Sequence, residues 1–139
     1  MTFPKTLLKR VQSLTKKLIE KSDTIKAAIV ANDMGEILAA DYGTTKDNNV
    51  LNAVMNSLFV IVDASSQQLD AGKFVTVSIE LEKLKLVLTQ VSQEPTLLTM
   101  VATNSNTTLG ETVYLAKKFD TEIKNLIGNI YTYEGEKVS

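Results

Sequence analysis

The chain has 139 residues, 44% of them hydrophobic and 22% charged, with a formal net charge of -1 at pH 7. This length and composition are typical of one globular domain with its own core. Cysteine and histidine are both absent, which excludes disulfides, thiolate metal sites and cysteine nucleophiles, and removes the commonest general base. These absences favour a reducing compartment and a binding function over catalysis.

The first predicted element is an amphipathic helix over residues 3 to about 21. Apolar side chains recur at helical spacing, and Pro4 lies in the first turn, where a missing N–H costs little. The apolar positions are Leu7, Val11, Leu14 and Leu18. The other face is basic and could meet anionic lipid, nucleic acid or an acidic protein, but the pattern is more typical of a solvated helix face.

A β-hairpin is predicted next, with strands over residues 25–31 and 36–42. Both runs are rich in apolar and β-branched residues, and a polar segment separates them. Asp33 and Gly35 suit the turn between them, because Asp hydrogen-bonds nearby backbone and Gly has no Cβ to clash.

The second predicted helix covers residues 48–69, and Asp47 is its candidate N-cap. It carries two apolar stripes, whereas a surface helix needs only one. One stripe comprises Leu51, Met55, Leu58, Ile61 or Val62, and Leu69. The other comprises Val50, Ala53, Val60 and Ala64. Such a helix must be covered on two sides, either inside one domain or by a second chain.

Three strands follow, over residues 74–81, 84–90 and 96–103. In the first, apolar and polar residues alternate, as in a half-buried strand. The links are short and polar, which predicts an antiparallel meander. The last helix begins at Thr108, where Thr108 and Glu111 match a capping box, and Gly128 is its predicted stop.

These elements predict a single domain over residues 1–128 and a short polar C-terminal tail over residues 129–139, to which no regular structure is assigned. The element order is α-β-β-α-β-β-β-α. A mixed α/β (α+β) fold with a five-stranded antiparallel sheet sandwiched by helices, as in profilin and longin domains, fits this order best.

No set of residues predicts a catalytic, cofactor-binding or metal site. The glycines are isolated and none precedes a Lys-Ser or Lys-Thr pair, so a P-loop is absent. Asp41 and Asp47 flank a polar loop, but their spacing matches no calcium loop. Glu80 and Glu82 share a strand face, yet beside a turn they fit a solubilising role better than acid–base work. Scattered aromatic residues and an acidic pI argue against nucleic-acid binding.

The first hairpin has a distinctive sequence in addition to its place in the element order. Its residues are Ala28-Ile29-Val30-Ala31-Asn32-Asp33-Met34-Gly35-Glu36-Ile37-Leu38-Ala39-Ala40-Asp41. With the long apolar middle helix and the meander, this hairpin resembles the roadblock / dynein light chain family over roughly residues 5–127. The resemblance implies a cytoplasmic, non-catalytic scaffold or regulator that needs no cofactor. It implies self-association or pairing with a paralogous roadblock protein, and binding to a small Ras-like GTPase, a dynein-type motor complex or a membrane-docking scaffold, with only indirect membrane contact.

The resemblance also implies where the dimer forms. The strand over residues 74–81 pairs with its copy, and the helix over residues 50–69 lies beside it. The implied interface residues are Val50, Ala53, Val54, Ser57, Val60, Ile61, Ala64, Phe74, Val75, Thr76, Val77, Ser78 and Ile79. The pattern of apolar residues also favours this interface, because an uncovered second stripe on the helix and an apolar edge strand both favour association.

Some family members raise GTP hydrolysis by a partner, either with an arginine finger or by repositioning the partner's residues. The only arginine is Arg10, on the basic helix face, so repositioning is the expected route. Three other functions stay open at this stage. They are a monomeric trafficking or cytoskeletal adaptor of the longin or profilin type, an intracellular ligand sensor and, least favoured, an enzyme.

Overall fold

The structure is a computed structural model that describes residues 3–43, 45, 48–93 and 96–138, and their side chains except those of residues 92, 93 and 129–138. Three helices and five strands follow one another in the predicted order. They are α1 (Lys5–Glu20), β1 (Ile25–Asn32), β2 (Ile37–Asp41), α2 (Asn48–Leu69), β3 (Thr76–Glu80), β4 (Leu84–Gln93), β5 (Thr96–Asn104) and α3 (Leu109–Val138).

All five strands form one antiparallel sheet in the order β2-β1-β5-β4-β3. The predicted fold class is therefore confirmed. Strand β3 is shorter than the predicted residues 74–81, and it occupies one edge of the sheet. Strand β1 is buried along nearly its whole length, because neighbouring strands and helices enclose it on every side.

The sheet separates two cores. Helices α1 and α3 cover one face, where the buried residues include Leu7, Val11, Val30, Val87, Val101, Phe119 and Ile123. Helix α2 covers the other face, where they include Ile29, Leu51, Met55, Leu88, Met100 and Ala102. Successive side chains of a strand point to opposite faces of the sheet, so alternate residues of each central strand pack in the two cores.

The β1–β2 turn depends on Asn32 more than on the expected Asp33. The Asn32 side-chain oxygen accepts hydrogen bonds from the backbone N–H groups of Met34 and Glu36, both at 3.0 Å. Gly35 adopts a φ of +81°, a left-handed conformation that favours glycine. The prediction that Gly35 suits the turn is confirmed. The side-chain hydrogen bonds come from Asn32 rather than from Asp33, and both residue types favour turns because they bond nearby backbone.

Helix α3 begins as predicted and ends later than predicted. The Thr108 hydroxyl accepts the Glu111 backbone N–H at 3.1 Å, which caps the first turn. The prediction that Gly128 stops the helix is wrong, because α3 continues to Val138. A glycine ends a helix when it turns left-handed, and Gly128 is not among the positive-φ residues. Inside a helix it costs only about 1 kcal/mol relative to alanine. The division at residue 128 into domain and tail stays a prediction.

Candidate dimerisation and docking surface

Among the described strands, β3 has a hydrogen-bonded neighbour, β4, on one side only. The Gln90 backbone N–H donates to the Val75 carbonyl at 3.3 Å, and the Leu81 N–H donates to the Leu84 carbonyl at 2.9 Å. Odd-numbered residues of this strand therefore direct their backbone groups toward β4. Because the direction alternates along an antiparallel strand, the N–H and C=O groups of Thr76, Ser78 and Glu80 point to the free edge.

The side chains of β3 fix its register on β4. Val77 lies opposite Leu88 and Ile79 lies opposite Leu86, and these four residues belong to the core under α2. A shift by one residue would turn Val77 and Ile79 to the other face. The protomer thus holds β3 firmly on one side and leaves its other side unpaired.

Helix α2 is oriented by polar contacts with the first hairpin. The Asn52 side-chain oxygen accepts the Tyr42 hydroxyl at 2.8 Å. Asn56 lies against the β1–β2 turn, where a Cβ added to Gly35 would come within 3.1 Å of the Asn56 side-chain oxygen. Both asparagines lie on one flank of the helix, toward the hairpin and hence away from β3.

A second flank of α2 lies opposite the two asparagines, since helical residues are spaced by about 100°, and its Val54 and Leu58 pack against the same core as Val77 and Ile79 of β3. We call this the inner flank, and it comprises Val54, Leu58 and Ile61. The inner flank is only partly covered, because Val54 and Leu58 are half-buried and Ile61 is 62% exposed.

The side of α2 that points away from the sheet carries the second predicted stripe. We call it the outer face, and it comprises Ala53, Ser57, Val60 and Ala64, all exposed. Val60 is 59% exposed, and Val50, between the outer face and the inner flank, is 53% exposed. Burial of both stripes within one domain is therefore contradicted, because only the stripe with Leu51 and Met55 reaches the core.

The thirteen predicted interface residues fall into two adjoining groups, one on α2 and one on or beside β3. In the second group Val75 and Ser78 are exposed, with Val75 at 69%. Phe74, Val77 and Ile79 instead pack against the protomer's own core, and the Phe74 ring lies 6.0 Å from that of Phe59. The structure places the two groups side by side, and dimerisation through them stays a prediction.

A buried polar network that the sequence did not predict lies under α3. The Thr99 hydroxyl donates to an Asp120 carboxylate oxygen at 2.7 Å and lies 2.5 Å from the Thr89 hydroxyl. Burial raises the pKa of Asp120, and the hydrogen bonds from the two threonines oppose that shift only in part. A signal was present, since Asp120 falls on the apolar stripe of α3 beside Ala116 and Ile123.

The threonines continue in a row toward the free edge. Thr99 lies opposite Thr89, and Thr89 lies opposite Thr76 on β3. The Thr76 hydroxyl is buried and has no hydrogen-bond partner among the residues that the structure describes. An unpaired buried hydroxyl is unfavourable. The edge strand therefore has an unsatisfied side-chain hydroxyl in addition to its free backbone groups.

A polar cleft of about 510 Å³ lies where α2 ends, and its lining includes Asp33, Asp63 and Asp70 together with Lys73. The helix terminates as predicted, with Asp70 at a φ of +50°. Among the described residues, no group of three or more His, Cys, Asp or Glu side chains could hold a metal ion. Asp47, the N-cap and loop candidate, lies outside the described residues.

The basic face of α1 forms one wall of a groove against α3. Arg10 and Lys17 line this groove together with Glu122 of α3, and all three are exposed. The groove lies on the face of the sheet opposite α2. No helix in the described part of the chain is long and apolar enough to cross a membrane.

Comparisons with known proteins agree with this geometry. The structure of Myxococcus xanthus MglB is similar with a TM-score of 0.77 and 14% identity, over 93% of this chain and 96% of that one. MglB from Thermus thermophilus, titled a gliding protein, has a TM-score of 0.73 and 12% identity, over 91% and 94%. A structure titled "MglB with tetrameric arrangement" has a TM-score of 0.73 and 12% identity, over 91% and 93%.

No curated protein matches the sequence. The profile described as Roadblock/LC7 domain matches residues 11–102, which span both hairpin strands, all of α2, and the meander up to Ala102. The chain therefore belongs to the Roadblock/LC7 family.

Proposed function

We propose that this protein is a non-catalytic homodimeric scaffold that binds a small Ras-like GTPase. Membership of the Roadblock/LC7 family supports a scaffold or regulator role in general. One observation carries the finer proposal, namely that the uncovered apolar side of α2 adjoins the unpaired edge of β3.

Energetics favour covering this surface. Burial of a complete Val or Ile side chain is favourable by roughly 1.5–3 kcal/mol, and Val50, Val60, Ile61 and Val75 are each more than half exposed in the protomer. Free edge strands and contiguous apolar patches are both features of interfaces. A two-fold dimer would pair β3 with its copy and bring the inner flanks of the two α2 helices together. The tetrameric arrangement named for one similar structure supports self-association of this fold.

A dimer of this kind would leave the two outer faces of α2 adjacent and exposed. It would use the inner flank and β3, and it would leave free four residues that the resemblance implied for the interface, namely Ala53, Ser57, Val60 and Ala64. We propose this combined face as the GTPase-binding surface, because small side chains such as Ala53, Ser57 and Ala64 permit close approach of a partner. The only arginine, Arg10, belongs to α1 on the opposite face of the sheet. Any stimulation of GTP hydrolysis would therefore act by repositioning the partner's residues rather than by an arginine finger.

Molar mass from light scattering tests the homodimer. We expect twice the protomer mass of 15.2 kDa for the wild type and the protomer mass for Ile61→Lys, since a charge on the inner flank would be buried without a partner. Tyr114→Lys is the matched control, because Tyr114 is 65% exposed on α3, away from α2. A wild type that is monomeric across micromolar concentrations contradicts the homodimer and favours a heterodimer with a paralogous protein or a longin-like adaptor.

The GTPase proposal needs a variant that keeps the dimer. Val60→Lys changes the outer face, and we expect it to remain dimeric while its affinity for the partner falls at least about tenfold. The measurement is calorimetric titration with purified Ras-like GTPases of the same organism, loaded with GDP or a GTP analogue. Arg10→Ala should leave any stimulation of hydrolysis unchanged. If no GTPase binds the dimer, or if Val60→Lys binds like the wild type, this part of the proposal is wrong.

A further inference from the structure

For the pairing of β3 with its copy in the proposed homodimer, we infer that Ser78 lies on the two-fold axis and faces its own copy. The inference rests on the proposed homodimer and adds the register and axis of the pairing, together with a hydrogen bond that each protomer supplies to the other.

The free backbone groups of β3 have a defined direction. Thr76, Ser78 and Glu80 direct N–H and C=O outward, because the odd-numbered residues bond to β4. In an antiparallel ladder, hydrogen-bonded pairs join residues whose N–H and C=O both point at each other. Even-numbered residues of one copy must therefore pair with even-numbered residues of the other, which also keeps both α2 helices on one face of the extended sheet.

This parity permits a two-fold axis at Ser78, at Val77 or at Ile79. With the axis at Ser78, Ser78 pairs with its copy and Thr76 pairs with the partner's Glu80, so every outward residue of both strands is used. An axis at Val77 would pair Glu80 with the partner's Phe74. An axis at Ile79 would pair Thr76 with the partner's Glu82. Residues 74 and 82 lie outside β3 (Thr76–Glu80), so either alternative extends beyond the regular strand.

The Thr76 hydroxyl is buried and has no partner in the described part of the protomer. Directly opposite residues of an antiparallel pair share a face, with Cβ atoms about 4.5–5.5 Å apart. The Ser78 axis therefore places the partner's Glu80 beside Thr76, where a carboxylate oxygen can accept the hydroxyl proton. The pair forms twice, once on each side of the axis, and the same register keeps the two Glu80 carboxylates apart.

The chain suits a cysteine test because it contains no cysteine. In full-length single-cysteine variants, Ser78→Cys should form a disulfide-linked dimer with copper–phenanthroline, since Cα atoms about 5.5 Å apart can be bridged. Val77→Cys and Ile79→Cys would lie about 8 Å from their copies, too far for a disulfide without backbone movement. We expect Ser78→Cys to cross-link at least about tenfold faster than either. Met34→Cys, 87% exposed on the β1–β2 turn, measures collisional cross-linking.

A mixture of Thr76→Cys and Glu80→Cys protomers should give a mixed cross-link faster than either variant alone. Circular dichroism checks that each variant is folded, and light scattering on the reduced proteins reports the dimer separately. Fastest cross-linking at Val77 or Ile79 overturns the Ser78 axis, as does a reduced dimer in which every β3 variant reacts at the rate of Met34→Cys. A monomeric wild type overturns the homodimer itself, so the two failures are distinguishable.

Discussion

The two faces of the sheet differ in how completely their helices are covered. On one face α1 and α3 lie together, and Leu7 and Phe119 are almost wholly buried. On the other face α2 lies alone, with Met55 buried but Val60 and Ile61 mostly exposed. The apolar residues of α2 at helical spacing therefore form both core and uncovered surface.

This difference shows what an apolar stripe can indicate. An apolar stripe indicates that a helix needs a neighbour on that side, because exposed apolar area is unfavourable in water. The stripe does not indicate whether that neighbour belongs to the same chain. In this protein the inner flank of α2, which is only partly covered, lies toward β3, the strand at the edge of the sheet, and that coincidence is the basis of the proposed dimer.

The largest expected effect comes from the fully covered face. Phe119→Ala should lower the free energy of unfolding by about 3–5 kcal/mol, because the cavity is enclosed by both helices and the sheet. Urea denaturation followed by circular dichroism measures it. Tyr114→Ala, an exposed aromatic on the same helix, should change stability by less than about 0.5 kcal/mol. Similar losses for the two variants would contradict the difference in packing along α3.

The core side and the inner flank of α2 provide the next test. Leu51→Ala should cost about 2–5 kcal/mol, since this side chain packs in the core. Ile61→Ala should cost less than about 0.5 kcal/mol in protomer stability at concentrations below dimerisation. Thermal unfolding over a range of protein concentrations separates the two contributions, because only dimer contacts make the melting temperature depend on concentration. An Ile61→Ala loss that stays large on dilution would mean that the inner flank is part of the protomer core.

The smallest effect concerns the buried carboxyl group under α3. Burial raises the pKa of Asp120 above its ordinary value of 3.8, so the folded state holds this proton more tightly than the unfolded state. The associated stability is fully present below that ordinary pKa and is lost as pH rises through the higher folded-state pKa. Asp120→Asn removes this loss, and its stability relative to wild type should therefore rise as the pH increases toward neutrality.

Urea denaturation of both proteins at several pH values measures that trend. Glu122→Gln serves as the control because it removes an acidic charge at an exposed position of the same helix. A relative stability of Asp120→Asn that falls with increasing pH, or a trend equal to that of Glu122→Gln, would argue against the effect of burial.

Most of the fold was accessible from sequence, because each element is specified by residues close together in the chain. The alternation in β3 and the β-branched run of β1 predicted strands, and Thr108 with Glu111 predicted the start of α3. Gly128 was misread because its signal is ambiguous locally. A glycine ends a helix only when the backbone turns left-handed, and residue type alone does not specify that conformation.

The candidate site was less accessible. The two stripes of α2 and the apolar edge of β3 were visible in the sequence, and the family resemblance joined them into an interface. The unpaired hydroxyl of Thr76 and the burial of Asp120 were not visible, because both depend on strand neighbours and on α3 lying over the sheet. Thr76, Thr89 and Thr99 are far apart in sequence and form a row only after β3, β4 and β5 pair in register.

The sequence by itself determined the kinds and order of the elements, and which helix carries more apolar surface than one protomer needs. These properties follow from side-chain periodicity within single segments. Only the tertiary structure decided which strand ends the sheet, which flank of α2 faces that edge, and which backbone groups of β3 remain free. Those properties arise from pairing between distant segments, where several arrangements satisfy the same local pattern until packing selects one.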